Sequence, residues 1–231
     1  MSRSYLAFDL GAESGRAILG TLSDEGRLSL SELRRFPNGP RDIGGRLRWD
    51  ARRLFRELND GLRAAASGPP LDGIGVDTWG VDFALVDAKG ELLEDPLAYR
   101  DPAFPPAMDD FLRVFPRERL YPLTGIQFLP LNTVYQIHAL AMEKSSTLED
   151  AESLLFMPDL FNLQLAGVRR TEATIASTSQ LMDARTGGWQ EEVLASLKAR
   201  RTLFQDIVPP GTVLGPLCAR AREAPGLGLS L

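Results

Sequence analysis

The sequence predicts an α/β domain built on a mixed sheet, and three features near its start carry that prediction. Three strand-like stretches joined by turn residues come first: the apolar runs Tyr5–Leu10 and Arg16–Leu22, and the loosely alternating Arg27–Phe36. A helical repeat follows, with Leu54, Phe55, Leu58 and Leu62 on one face. Two more strand-like runs come next, Ile74–Thr78 and Val81–Val86. Consecutive strands, then a helix, then strands alternating with helices fit a sheet of mixed direction with helices against it.

Each element has its own signals. Gly11 to Gly15 supplies the first turn and Asp24-Glu25-Gly26 the second. After a Gly-rich loop at 38–46, Trp49-Asp50 introduces the helix, with Asp50 as N-cap. Ser67-Gly68-Pro69-Pro70 ends it. Trp79-Gly80 reads as a tight turn or bulge between two strands. The Pro-rich stretch 101–130 is expected to be irregular connections around a short helical piece. Leu131, Val134, Tyr135, His138 and Met142 recur at helical spacing. Pro158–Ala166 reads as a short helix with Gly167 just past its end, and a further helix is expected over 189–200. From Val208 onward proline and glycine accumulate, and an apolar segment is beginning at Leu227–Leu231, which suggests a chain that continues.

Composition narrows the function classes. The 231 residues are 44% hydrophobic and 25% charged, as in ordinary soluble globular proteins. That length buries a sufficient core without staples. A net charge of −5 leaves no basic footprint for nucleic acid. The single cysteine, Cys218, excludes an internal disulfide. The first apolar run is too short for a signal segment or a membrane span, so the cytoplasm is the expected compartment. His138, the one histidine, shares an apolar helical stripe and reads as a core or boundary residue rather than an acid–base group.

Two segments carry chemistry. In Asp9-Leu10-Gly11-Ala12-Glu13-Ser14-Gly15-Arg16, small residues let the backbone approach an anion, and successive N–H groups in a turn can cradle phosphate oxygens. Ser14 offers a hydroxyl donor and Arg16 a cation. Asp9, at a strand end, is costly to bury unpaired; Mg²⁺, reached directly or through water, would explain it. The segment lacks the Gly-Lys-Ser/Thr of a Walker A loop. By itself it is equally an ordinary strand ending in a turn.

The second segment is Asp77-Thr78-Trp79-Gly80-Val81-Asp82-Phe83. Carboxylates that accept from hydroxyls, an indole face for apolar C–H surface and a glycine for close approach together suit a sugar. A polar hairpin turn with Trp79 in the core is the competing reading. Tyr99-Arg100-Asp101 follows at another strand end and could complete the same pocket.

These segments, in this order, resemble the rhamnulokinase branch of the FGGY sugar kinases. The resemblance continues through Arg35-Phe36-Pro37-Asn38-Gly39, Trp49-Asp50, Ala98-Tyr99-Arg100-Asp101, Gly125-Ile126-Gln127-Phe128-Leu129-Pro130-Leu131-Asn132-Thr133-Val134-Tyr135-Gln136, Met157-Pro158-Asp159 and Glu172 to Leu181. It implies a ribonuclease H-like domain of the actin/hexokinase/Hsp70 type. It also implies ATP and Mg²⁺ as cofactors, and phosphoryl transfer to the 1-hydroxyl of L-rhamnulose. Ala12, Glu13, Ser14, Gly15 and Arg16 match the ATP-phosphate loop, and Gly80 a sugar-contacting glycine. Trp79, Asp82, Arg100, Asp101 and Gln127 fall in sequences around the sugar.

Two departures stand out: Glu13 replaces a small polar residue, and Pro102-Ala103-Phe104 replaces a small residue and second arginine after Asp101. The resemblance implies that 1–231 is an amino-terminal domain, with 208–231 leading toward a second domain. The proton-accepting aspartate is expected beyond Leu231, so no catalytic residue is expected within the chain. The face that meets the second domain is expected to favour association, with a homo-oligomer one outcome. A kinase for xylulose or fuculose, a non-catalytic sugar-binding module and an actin-like scaffold are the other readings.

Overall fold

The computed structural model describes residues 2–222. Strands β1 (Arg3–Leu10), β2 (Ser14–Leu22) and β3 (Leu28–Pro37) form an antiparallel meander. Along β1 the residues alternate: Ser4, Leu6, Phe8 and Leu10 are buried, while Tyr5, Ala7 and Asp9 face outward. A hairpin of β4 (Arg41–Ile43) and β5 (Arg46–Arg48) then leads through Trp49 into α1 (Ala51–Ala66). Asp50 caps α1 by accepting the Arg53 N–H at 2.8 Å, as the sequence predicts. The helix buries Leu54, Leu58, Gly61 and Leu62 against the inward row of β1. Contact is close enough that a Cβ on Gly61 would lie 2.6 Å from the Phe8 ring.

Strand β6 (Gly73–Thr78) adds to the free edge of β1 in parallel, giving the order β3-β2-β1-β6 and the expected mixed sheet. It does not pair with the next strand, although two strands do flank a tight turn after Trp79 as expected. Instead β7 (Phe83–Val86) pairs antiparallel with β8 (Ser153–Phe156) in a separate ribbon. All four residues of β7 are buried. A strand apolar on both faces needs cover on both, which a two-stranded continuation of a half-exposed edge would not supply.

Between β7 and β8 lie α2 (Phe104–Val114), α3 (Arg117–Thr124), α4 (Thr133–Met142) and α5 (Ser146–Asp150). The first two correct the expectation of irregular chain at 101–130. Pro105 and Pro106 sit in the first turn of α2, where a missing N–H costs nothing, and Phe104, Ala107, Met108 and Phe111 supply a buried helical stripe. After β8 come α6 (Met157–Ala166), β9 (Thr171–Glu172), α7 (Ala173–Ser177), α8 (Glu191–Ser196), β10 (Ile207–Val208) and α9 (Ala219–Arg222). Helix α8 is shorter than the span expected at 189–200: Gln190 caps its start by accepting the Glu192 N–H, and it ends with Leu197 as its C-cap, before Lys198 at φ 56°. Helix α6 ends at Gly167 in the left-handed region, φ 73°, as its sequence foretells. The stretch from residue 223, where a continuing apolar segment is expected, lies outside the described residues.

The β7–β8 ribbon separates two cores. Ala84, Val86 and Leu155 point into a cluster with α1, α6 and the main sheet. Phe83, Leu85, Leu154 and Phe156 point into a second cluster with α2 and α4. His138, on α4, lies at the edge of that second core, 2.9 Å from the Asp110 carboxylate and edge-on to Phe111. Among the described residues no helix is long and apolar enough to cross a membrane.

Candidate phosphate and sugar site

The parallel strands β1 and β6 end side by side, with Leu10 and Thr78 in register. Ligands of open α/β sheets gather outside the carboxyl ends of such strands. Both chemistry-bearing segments leave from there, and the Trp79 N–H donates to the Leu10 carbonyl at 3.2 Å, which clips one loop to the other.

The first loop, Gly11-Ala12-Glu13, closes the β1–β2 hairpin through the Gly11 N–H and the Ser14 carbonyl at 2.9 Å. Asn38 fixes its shape. The Asn38 N–H donates to Glu13 O and its Nδ2 donates to Gly11 O, each at 2.8 Å. Glycine is required at position 15, where a Cβ would lie 2.3 Å from the buried Phe36 ring. Glu13 is exposed at the tip, and Ala12 and Ser14 are partly exposed beside it.

Asp9 and Arg16 are directly opposite on β1 and β2, and their side chains form an ion pair. Both are more than a third exposed, so solvent screens the pair and it contributes about 0–1 kcal/mol. Its consequence is placement: Arg16 is tethered at the strand end. Asp77 is the register partner of Asp9 on β6, so two carboxylates and one guanidinium share the outward face here.

The second loop is conformationally unusual. The Asp82 N–H donates to Gly80 O at 2.9 Å around Val81, whose φ is 66°. This three-residue γ-type turn is rare, and a β-branched residue at positive φ is a genuine outlier. Such strain costs about 1–3 kcal/mol and persists only where surroundings over-determine it. Here they do. Thr178 Oγ1 accepts the Val81 N–H at 3.1 Å, and Thr133 Oγ1 donates to the Val81 carbonyl at 2.6 Å. Gln136 Nε2 donates to Asp82 Oδ1 at 2.9 Å.

Asp82 itself is fully buried. Its Oδ2 accepts from Trp49 Nε1 at 2.6 Å, Trp79 Nε1 at 2.9 Å and the Tyr99 N–H at 3.1 Å. Burial pushes the Asp82 carboxyl up to about 7, against the pull of the donors from Trp49, Gln136, Trp79 and Tyr99. The two indoles it joins lie 4.1 Å apart, centroid to centroid. Asp82 is thus occupied within the protein and offers no free oxygen to a sugar, which corrects its expected role.

Asp101 is corrected on the same ground. Its side chain has no exposure and accepts from Arg46 Nε at 3.0 and 3.1 Å, the Leu47 N–H at 2.8 Å and the Ala103 N–H at 3.0 Å. It ties the β4–β5 hairpin to the start of α2. Arg100 is exposed, with its guanidinium 5.4 Å from the Tyr99 ring centroid. Gln127 is also exposed, on a loop held by Asn132. That residue donates from Nδ2 to Gln127 O at 2.7 Å and to Gln180 Oε1 at 3.0 Å. Trp79 is partly exposed beside Gly80. Thr133 and Thr178 hold the Val81 backbone and Gln136 holds the Asp82 carboxylate, roles that residue type alone does not signal.

Comparison with known proteins bears on the family and the fold. A rhamnulokinase of Bacteroides thetaiotaomicron is 42% identical over 229 residues, which is 99% of this chain and 47% of that protein. A rhamnulokinase of Enterococcus faecalis is 42% identical over 216 residues, 93% of this chain and 43% of its own. The chain therefore spans about half the length of the curated relatives it matches. In fold it is similar to a gluconate kinase of Lactobacillus acidophilus, with TM-score 0.86 at 16% identity over 96% of this chain and 45% of that one. A xylulose kinase of the same organism gives TM-score 0.85 at 16% identity, again over 96% and 45%. The model of the FGGY family of carbohydrate kinases, N-terminal domain, matches residues 4–230, and the chain belongs to that family.

Proposed function

We propose that these residues form the ligand-holding half of an ATP-dependent kinase that phosphorylates L-rhamnulose at its 1-hydroxyl. The observation that carries the reading is the hydrogen bond from Trp79 to Leu10, which sets the phosphate loop and the strained Gly80 turn side by side. The rhamnulokinase relatives support the choice of sugar. In this reading the amides of 12–15 and the Ser14 hydroxyl hold the ATP phosphates, and Arg16 offsets their charge. Gly80 lets the sugar approach the backbone, Trp79 covers its apolar side, and Arg100 and Gln127 reach it from the rim. Asp82 and Asp101 hold the pocket's walls.

Mg²⁺ fits the donor set at the strand ends, because it takes one or two carboxylates together with phosphate oxygens. Asp9 and Asp77, register partners with outward side chains, would hold it, directly or through water. A bound Mg²⁺ would supply positive charge against the phosphates and against the charge that develops in transfer. Positioning and charge stabilisation are what this reaction asks of the protein. A second domain would supply the proton-accepting aspartate and close over the cleft, excluding water as a competing acceptor.

A ketose panel tests the reading. The full-length polypeptide should phosphorylate L-rhamnulose in preference to xylulose and fuculose, and residues 1–231 alone should show no turnover. Preference for another ketose would reassign the sugar, and robust turnover by 1–231 would overturn the division of labour. Gly80→Ala adds a second check. A Cβ there meets Thr178 Cγ2 at 3.4 Å, an ordinary contact, so the fold should survive. The KM for the sugar should rise about tenfold, a loss of roughly 1.4 kcal/mol, with the KM for ATP unchanged.

A further inference from the structure

The Gly80–Asp82 turn cannot hold its own shape. Val81 at φ 66° is β-branched, the residue class least tolerant of that region. The two sides of its peptide units are gripped from different elements. Thr133 and Gln136 are in the first turn or so of α4, and Thr178 caps the carboxyl end of α7. Thr178 serves twice: its Oγ1 accepts the Val81 N–H at 3.1 Å and donates to Ile175 O at 2.8 Å. The second bond orients the hydroxyl so that a lone pair points at Val81. Its side chain is also the wall of the turn, since Thr178 Cγ2, Oγ1 and Cβ lie 3.4, 3.5 and 3.6 Å from where a Gly80 Cβ would be.

We propose that Thr178 is a positioning residue for the sugar: it fixes the Gly80–Val81 peptide in the one orientation that presents Gly80 to the ketose. The inference rests on the sugar-kinase reading and deepens it. Thr178 bonds to Val81 and Ile175 and walls Gly80, so its influence is expected on the sugar rather than on ATP. Removing its hydroxyl frees the Val81 amide and lets the backbone relax out of its strained φ. The peptide then no longer waits in the binding geometry, and the sugar must restore it on each encounter. Such loss of pre-organisation appears as weaker sugar binding.

Thr178→Val in the full-length protein tests this, because it keeps the β-branched shape and puts a methyl, which accepts no hydrogen bond, in place of the hydroxyl. The KM for L-rhamnulose is expected to rise about tenfold while the KM for ATP stays within twofold. Thr178→Ser, which keeps the hydroxyl, should restore the sugar KM. Thermal melts of both variants separate folding from function. If Thr178→Val is poorly folded, Thr178→Ala and Thr178→Ser carry the comparison at a temperature where both are native. A sugar KM within twofold of the parent in Thr178→Val, or failure of Ser to rescue, would overturn the inference while leaving the kinase reading intact. A parent protein that phosphorylates no ketose would overturn both.

Discussion

Replacing Asp101 by alanine should destabilise the protein by about 3–5 kcal/mol, the cost of breaking a buried, hydrogen-bonded ion pair from one side. The carboxylate is entirely enclosed and accepts from Arg46, from the Leu47 N–H and from the Ala103 N–H. Alanine would leave two backbone donors without their partner and a guanidinium bound only to Glu143, at 2.9 Å. Arg46 is one-quarter exposed, so water relieves part of its loss but little of the amides'. The hairpin β4–β5 should loosen first, because Asp101 is one of its fastenings to the body of the domain, beside the Ala98 N–H to Leu47 O bond and the Arg48–Glu94 pair. Urea unfolding of Asp101→Ala against the parent measures the effect. The result also separates two roles for this residue. A sugar ligand replaced by alanine would leave the midpoint unmoved and raise the sugar KM, whereas a fold anchor moves the midpoint itself.

The second large effect depends on pH. Asp159, in the first turn of α6, is 2% exposed and keeps one oxygen without a partner, while the other accepts the Glu172 N–H at 3.2 Å. Burial pushes its carboxyl up to about 8, and the neighbouring Glu172 charge adds to the rise. An acid whose native pKa exceeds its unfolded value is protonated in the fold when the unfolded chain has already released the proton. Stability is then fullest below pH 4 for this group and declines through the window from about 4 to 8, by roughly 1.4 kcal/mol per pH unit. Asp82 contributes with the same sign up to about 7.

Asp159→Asn keeps an oxygen for Glu172 and removes the titration. The variant should melt higher than the parent at pH 8, and the gain should vanish as pH falls toward 4. Calorimetry at several pH values checks it; equal slopes for variant and parent would show that Asp159 does not titrate in this window.

Much of the fold was legible because local rules and tertiary packing agree in the first third of the chain. The alternation of β1, the Asp50 cap and the Leu54–Leu62 stripe all point to one structure, and it forms. Legibility failed where partner choice depends on distant chain. Nothing within 77–86 says that β7 will pair with β8 instead of turning back on β6. Proline misled at 101–130, since its effect depends on which turn of a helix it occupies.

In the candidate site, residue types named the chemistry but not who performs it. Asp82 and Asp101 look like sugar ligands in sequence, and burial turns them into supports. Thr178 falls in the Glu172–Leu181 stretch of the resemblance with no role of its own, and geometry places it against the strained backbone at Val81. Burial and φ are properties of the whole fold, so no local window holds them.

The ribbon of β7 and β8 has a bearing on how the molecule comes into being. Its partners Phe83 and Phe156 are about 70 residues apart, and pairing them must pay the entropy of closing that loop before any contact rewards it. The meander β1–β2–β3 with α1 is local and has no such wait. The Gly80 turn leads straight into β7 and is gripped by residues from α4 and from the end of α7, all on the far side of that long closure. A half-folded molecule is therefore expected to complete the Gly11–Glu13 loop before the Gly80–Asp82 turn, and in the proposed reading selectivity for the sugar would arrive with the last part of the chain to find its place.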